Sequence, residues 1–184
     1  MDIGEEILTR YDNLKSICEF NWEPVDLERI EKAFQFASTI VGVNKFKHGE
    51  VIITHSLEVA TIIAREIGMG PDSIVAGLLH NVMYAGLDKK ATQSEIETNF
   101  GKHIYFILDG MAKINALGTD TVDIHSENYR KLLLALAGDV RVIILKIADR
   151  LQVLRNLDAY DADSQKRLVT ETAYLYAPLA HRLG

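Results

Sequence analysis

Apolar residues recur along this chain every three or four positions, with no convincing alternation, so the pattern predicts helices rather than strands. Ile3, Ile7, Tyr11, Leu14 and Cys18 share one face of a first amphipathic helix over residues 2–19. Asn21-Trp22-Glu23-Pro24 interrupts it. Asp26 is placed to cap a second helix that runs to Val41, with Leu27, Ile30, Phe34, Ala37, Ile40 and Val41 inward. A loop over 42–54 leads to a helix from His55 to Ile67, closed by Gly68 as a left-handed cap. Gly70-Pro71-Asp72 opens the helix that delivers His80: proline suits the first helical position, and the acid suits the positive end of the helix dipole. Thr92-Gln93-Ser94-Glu95 has capping-box form and starts a short helix ending at Gly101. Ile104, Ile107, Leu108, Met111 and Ile114 mark the next. Residues 115–124 read as a loop, 126–137 and 139–157 as helices divided by Gly138, and 163–182 as a final helix. The class is all-α.

Length and charge narrow what such a chain can do. At 184 residues it suits one domain, 1–184, with a sizeable core. A formal charge of −6 with no offsetting basic patch argues against nucleic-acid binding, though a nucleotide pocket needs only a few local cations. The single cysteine, Cys18, excludes an internal disulfide and reads as a half-buried small hydrophobe. No cationic leader and no apolar run of membrane-spanning length is present, so the expectation is a cytoplasmic chain without membrane contact.

Candidate chemistry lies in polar groups set into apolar runs. His55 interrupts Val51-Ile52-Ile53-Thr54-His55-Ser56-Leu57, His80-Asn81 follows Gly77-Leu78-Leu79, and Asp149 ends Val142-Ile143-Ile144-Leu145-Lys146-Ile147-Ala148. Such groups either find hydrogen-bond partners or hold something. Imidazole nitrogens and a carboxylate oxygen suit a divalent metal such as manganese.

Five blocks carry a resemblance. They are His48–His55, Ile74–His80, Glu127–Ala135, Asp139–Leu151 and Tyr176–Gly184, the last reading Tyr-Ala-Pro-Leu-Ala-His-Arg-Leu-Gly. From about residue 25 to the end the chain resembles the amino-terminal HD hydrolase domain of long RelA/SpoT homologues, which make and degrade guanosine 3′,5′-bis(diphosphate), (p)ppGpp. The resemblance implies an HD-domain helical bundle of roughly nine to ten helices. It also implies a metal set at His55, His80, the residue after it, and Asp149. It further implies a carboxy-terminal synthetase domain, absent here, as partner in the same chain, so that the present sequence is expected to be truncated before it.

The departures from that pattern fall on the chemistry. The expected Asp of the His-Asp pair is Asn81, which keeps the shape and loses the charge. The expected Glu-Asp pair is Tyr84-Ala85, read as lying one helical turn beyond His80 and Asn81. A phenol with an ordinary pKa of about 10 is a poor base at neutral pH, and alanine moves no proton. The Arg implied to pack on guanine is Phe46, and the implied Asn one turn after Asp149 is Val153. Lys47, Arg150 and Arg155 remain as cations for phosphate, vestiges of a nucleotide site.

These departures lead to the expectation of a catalytically degenerate hydrolase domain, with no intact catalytic residue and no cofactor unless manganese is retained. It belongs to a parent GTP pyrophosphokinase and acts in regulating alarmone synthesis. The alternatives are an active manganese-dependent 3′-pyrophosphohydrolase and a domain that binds (p)ppGpp without cleaving it. Tyr84 also reads simply as a core aromatic, Arg150 as a structural partner for a carboxylate, His103 and His125 as surface or cap residues, and His181 as a packing residue.

Overall fold

The computed structural model describes residues 2–84, 86–116 and 138–183. The readings made above for Ala85, for residues 117–137 and for Gly184 lie outside them. The described residues are helical, with one isolated antiparallel bridge, Lys45 to Val51, and no strand. The chain divides into two compact units, Met1–Leu108 and Asp109–Gly184.

In the first unit α1 (Ile3–Asn21) starts with a capping box between Asp2 and Glu5. Its buried residues are Leu14 and Cys18. Cys18 is wholly buried, and that burial pushes its thiol up to about 11, which suits an inert packing residue. The second helix, α2 (Pro24–Val41), begins two residues before the expected cap. Pro24 takes the first helical position after Glu23, and Asp26 sits inside the first turn against the positive end of the dipole. Ile30, Ala33, Ala37, Ile40 and Val41 are buried along it; Leu27 and Phe34 are half-buried. Phe34 stacks on Tyr11 with ring centroids 4.0 Å apart.

α3 (Ile52–Thr61) starts three residues earlier than the loop reading allowed. Val51 is its cap residue, and the Thr54 hydroxyl donates to the Val51 carbonyl at 2.8 Å, so His55 lies in the second helical residue row rather than at the start. α3 passes directly into a π-helical turn, Ile62–Ile67, which Gly68 closes at φ 74°, the left-handed conformation expected of it. α4 (Pro71–Leu79) has Gly70 as cap and proline at its first position. α5 (Gln93–Phe100) opens on the expected Thr92–Glu95 box and ends at Gly101. α6 (Lys102–Ala116) begins in the first unit and ends in the second; Ile104, Ile107, Leu108, Met111 and Ile114 are all buried along it.

The core of the first unit forms where α3 packs against α1 and α4, and α2 packs against α4. Leu14, Ile53, Leu57, Ile63, Ile74 and Leu78 are essentially inaccessible there. Each stabilises by about 1.5–3 kcal/mol relative to exposure. A close approach is made at Gly77, where a Cβ would lie 2.9 Å from Ile63 Cδ1 and 3.2 Å from the Ala60 Cα.

In the second unit α7 (Val140–Arg155) is capped by Asp139, whose carboxylate accepts from the Arg141 amide at 2.9 Å. α8 (Ala162–Glu171) is capped by Asp161 and runs into a π-helical segment, Thr172–Tyr176, and then α9 (Ala177–Leu183). The single expected helix is therefore continuous but widened. Pro178 supplies the reason: it has no N–H to give, and its ring would collide with a carbonyl in a regular preceding turn. His181 is exposed near the end of α9, not packed as expected. His103 is on the surface, 3.6 Å from Asp72. Among the described residues no helix is long and apolar enough to cross a membrane.

The packing at Gly77 generates a test. Gly77→Val should lower unfolding stability by about 1–3 kcal/mol in urea, because the Ala60 backbone cannot yield as a side-chain tip can. A variant as stable as the natural chain would contradict the close approach.

Candidate functional site

The first unit brings five of the singled-out residues together around the start of α3 and the end of α4. The chain folds back over 44–52: the Phe46 N–H donates to the Glu50 carbonyl at 2.9 Å, and Gly49 turns at φ 97°. This turn sets Phe46, His48 and Glu50 beside His55. His55 is buried, with Nδ1 3.3 Å from Glu50 Oε2, and the same oxygen lies 3.2 Å from His48 Nε2. A carboxylate can only accept, so His55 donates from Nδ1, which in the neutral ring leaves the lone pair on Nε2.

His80 is the residue that caps α4. Its Nδ1 donates to the Gly77 carbonyl at 2.7 Å, which places the proton on Nδ1 and makes Nε2 an acceptor. Asn81, buried, meets that nitrogen with its amide: Nδ2 is 2.8 Å from His80 Nε2 and 3.3 Å from Ser56 Oγ. The reverse amide orientation would set an oxygen against a nitrogen without a proton. The His55 and His80 rings are 5.4 Å apart.

Beyond Leu79 the chain does not continue as a helix, so the reading of Tyr84 as one helical turn past His80 is corrected. The His80 side chain takes the Gly77 carbonyl, and the backbone tightens into successive turns, Val82 to Leu79 at 3.0 Å and Tyr84 to Asn81 at 2.9 Å. Tyr84 is half-buried and packs edge-on against Phe46 at 5.4 Å and 73°. Phe46 also lies parallel to His48 at 5.5 Å and edge-on to His55 at 5.2 Å. Lys47 points out of this cluster and is exposed.

The second unit holds the remaining candidates on α7. Asp149 Oδ2 accepts from Lys146 Nζ at 2.8 Å, and the same ammonium donates to Asn115 Oδ1 at 2.9 Å. Burial pulls the Lys146 ammonium down, but the Asp149 carboxylate and the Tyr176 phenol more than offset that and hold it above its ordinary value. Arg150 donates to Glu171 Oε2 at 2.6 Å and lies over the Tyr176 ring at 4.5 Å. It thus has a carboxylate partner, the structural role named for it from sequence. Val153 is half-buried and Arg155 exposed.

Sequence reasoning missed Glu50, Ser56 and Lys146. A signal existed for Lys146, a lone cation in an apolar run three residues before an acid. Glu50 and Ser56 give no such pattern, since their roles depend on how the 44–52 turn and α4 meet α3.

All this is a helical scaffold that presents one buried imidazole, His55, and one half-buried imidazole, His80, from consecutive helices. Residues 33–184 match the family model described as an HD domain. The chain belongs to the HD-domain family. Within it the chain is homologous to (p)ppGpp hydrolase and synthetase proteins of the SpoT/RelA type. It is 40% identical over 161 residues to the guanosine-3′,5′-bis(diphosphate) 3′-pyrophosphohydrolase of Aquifex aeolicus, covering 88% of this chain and 22% of that protein. Against the GTP pyrophosphokinase of Myxococcus xanthus it is 35% identical, covering 92% of this chain and 22% of the relative. Against the bifunctional (p)ppGpp synthase/hydrolase SpoT of Escherichia coli K12 it is 33% identical, covering 95% and 24%. The chain therefore spans less than a quarter of the length of these relatives. A solved structure described as a metazoan orthologue of SpoT that hydrolyses ppGpp shares the fold, with a TM-score of 0.60 and 18% identity, over 82% of this chain and 85% of that one.

The Arg150–Glu171 pair can be tested by unfolding. Both side chains are largely buried, so Arg150→Met should cost about 3–5 kcal/mol by leaving a carboxylate unpaired. Arg150→Met with Glu171→Leu should recover most of that in urea titration; a single variant without loss would contradict the pairing.

Proposed function

We propose that this chain is a catalytically degenerate (p)ppGpp-hydrolase domain of a longer, cytoplasmic RelA/SpoT-type GTP pyrophosphokinase. In this reading it regulates alarmone synthesis instead of degrading the alarmone, and its working partner is a carboxy-terminal synthetase domain of the same protein. The domain does so by how its packing biases the active conformer of that partner.

The observation that carries the reading is the contact between Phe46 and Tyr84. These two residues replace, by resemblance, a cation that packs on the base and an acid that moves protons. They lie far apart in sequence, and in the fold their rings meet edge to face, a geometry worth about 0.5–1.5 kcal/mol beyond burial. An aromatic cluster thus stands where a substrate-facing cation and acid were implied. Asn81 and Val153 support the same reading, each an uncharged residue at a position implied to carry a polar or acidic hand. His55, His80 and Asp149 could each supply one ligand atom to a divalent ion, but Asn81 brings no charge and the Asp149 carboxylate is already hydrogen-bonded to an ammonium, so these donors are short of the charge such an ion is held by. No step in this reading passes through one.

The test is pyrophosphate release from ppGpp by the 184-residue chain with manganese present. The expected result is no release above the protein-free rate. Turnover that scales with protein concentration would overturn the reading.

A further inference from the structure

The position of one amide proton at the end of α4 has a consequence for what holds the two histidines in place. His80 spends its own proton on the Gly77 carbonyl, so its Nε2 is the atom that a bound cation would use. That atom instead lies 2.8 Å from the Asn81 amide nitrogen. Asn81 is 9% exposed and Ser56, its second contact, is 1% exposed, so neither group has water as a ready alternative. To offer its oxygen to an ion, Asn81 would have to turn over and give up its bond to His80. It would bring no charge in exchange.

We infer that Asn81 is an internal surrogate for a divalent cation, an N–H donor that satisfies the His80 lone pair and keeps the two-histidine pocket ordered without metal. The inference deepens the reading under Proposed function and rests on it. An ion attracts imidazole lone pairs by charge; the amide serves that of His80 by a hydrogen bond, and Glu50 holds the His55 ring through Nδ1. The natural chain is therefore metal-independent in fold and in site geometry. Asn81→Asp removes the donor, restores a carboxylate, and converts the pocket into a manganese site.

Manganese titration of the 184-residue chain, followed by the electron paramagnetic resonance of free Mn2+, tests this against Asn81→Asp. The natural chain should show no saturable stoichiometric site, and its melting temperature should be unmoved by manganese or by chelator. Asn81→Asp should bind one ion at least about 10-fold more tightly, the scale on which metal-site groups alter affinity. A natural chain that binds one Mn2+ as tightly as the variant overturns the inference, as does a folded variant that binds no better. Should Asn81→Asp fail to fold without metal, recovery of its helical circular dichroism on adding manganese supports the inference. Should it fail to fold in either condition, the imidazole 15N shifts of His80 in the natural chain decide. A protonated Nδ1 with an accepting Nε2 supports the surrogate, and a protonated Nε2 overturns it. Tight manganese binding without pyrophosphate release sinks the surrogate alone, whereas pyrophosphate release sinks the functional reading.

Discussion

The approach of α4 to α3 at Gly77 is the constraint on which the first unit depends. With no side chain at that position, the helix can lie against Ala60 and the Ile63 tip at distances that a Cβ would violate. Three residues later the same helix ends, and its last carbonyl row is used by His80, whose ring bonds back to the Gly77 oxygen. The close packing and the imidazole tautomer are therefore set at one residue. Because α3 is held at that distance, His55 and His80 face each other at 5.4 Å between ring centroids. Their accepting nitrogens follow from partners on their own helices or on the turn before, Gly77 for one and Glu50 for the other.

Buried polar groups in such a core are costly unless each finds a partner. Around the candidate residues protein groups meet much of that demand: Asn81 and Ser56 around His80, Glu50 shared by two histidines, Lys146 between Asp149 and Asn115, and Arg150 between Glu171 and Tyr176. This is the arrangement expected of a site whose polar residues serve to hold the fold. A charged catalytic pocket would leave acids and cations turned toward substrate. Here the positions implied for that work carry Phe46 and Tyr84, which turn toward each other. On the proposed reading, loss of chemistry and gain of internal packing are two sides of one set of substitutions.

Much of the fold was legible in the sequence because helix periodicity and caps are local. The Thr92 box, Pro71 after Gly70, Gly68 and the α6 stripe from Ile104 to Ile114 all behave as their spacing predicts. The errors came where a tertiary contact overrides the local signal. Ile52 to Thr54 joined α3 because the 44–52 turn folds back and supplies Val51 as a cap residue, which no helix-start residue announces. α4 stopped at Leu79 although the sequence continues apolar, because a side chain competes for the backbone acceptor. The ligand-type residues could be named from motif register, and the first unit places the side chains of His55, His80 and Asn81 near one another. Glu50 could not, since its role exists only once the turn has formed.

The most direct test of the account is pyrophosphate release from ppGpp by a chain carrying Asn81→Asp, Tyr84→Glu, Ala85→Asp and Val153→Asn together, assayed with manganese beside the natural chain. The account predicts that the restored chain turns over substrate while the natural one stays silent, since the scaffold is retained and these positions hold the missing chemistry. A correctly folded restored chain that releases no more pyrophosphate than the natural one would contradict it.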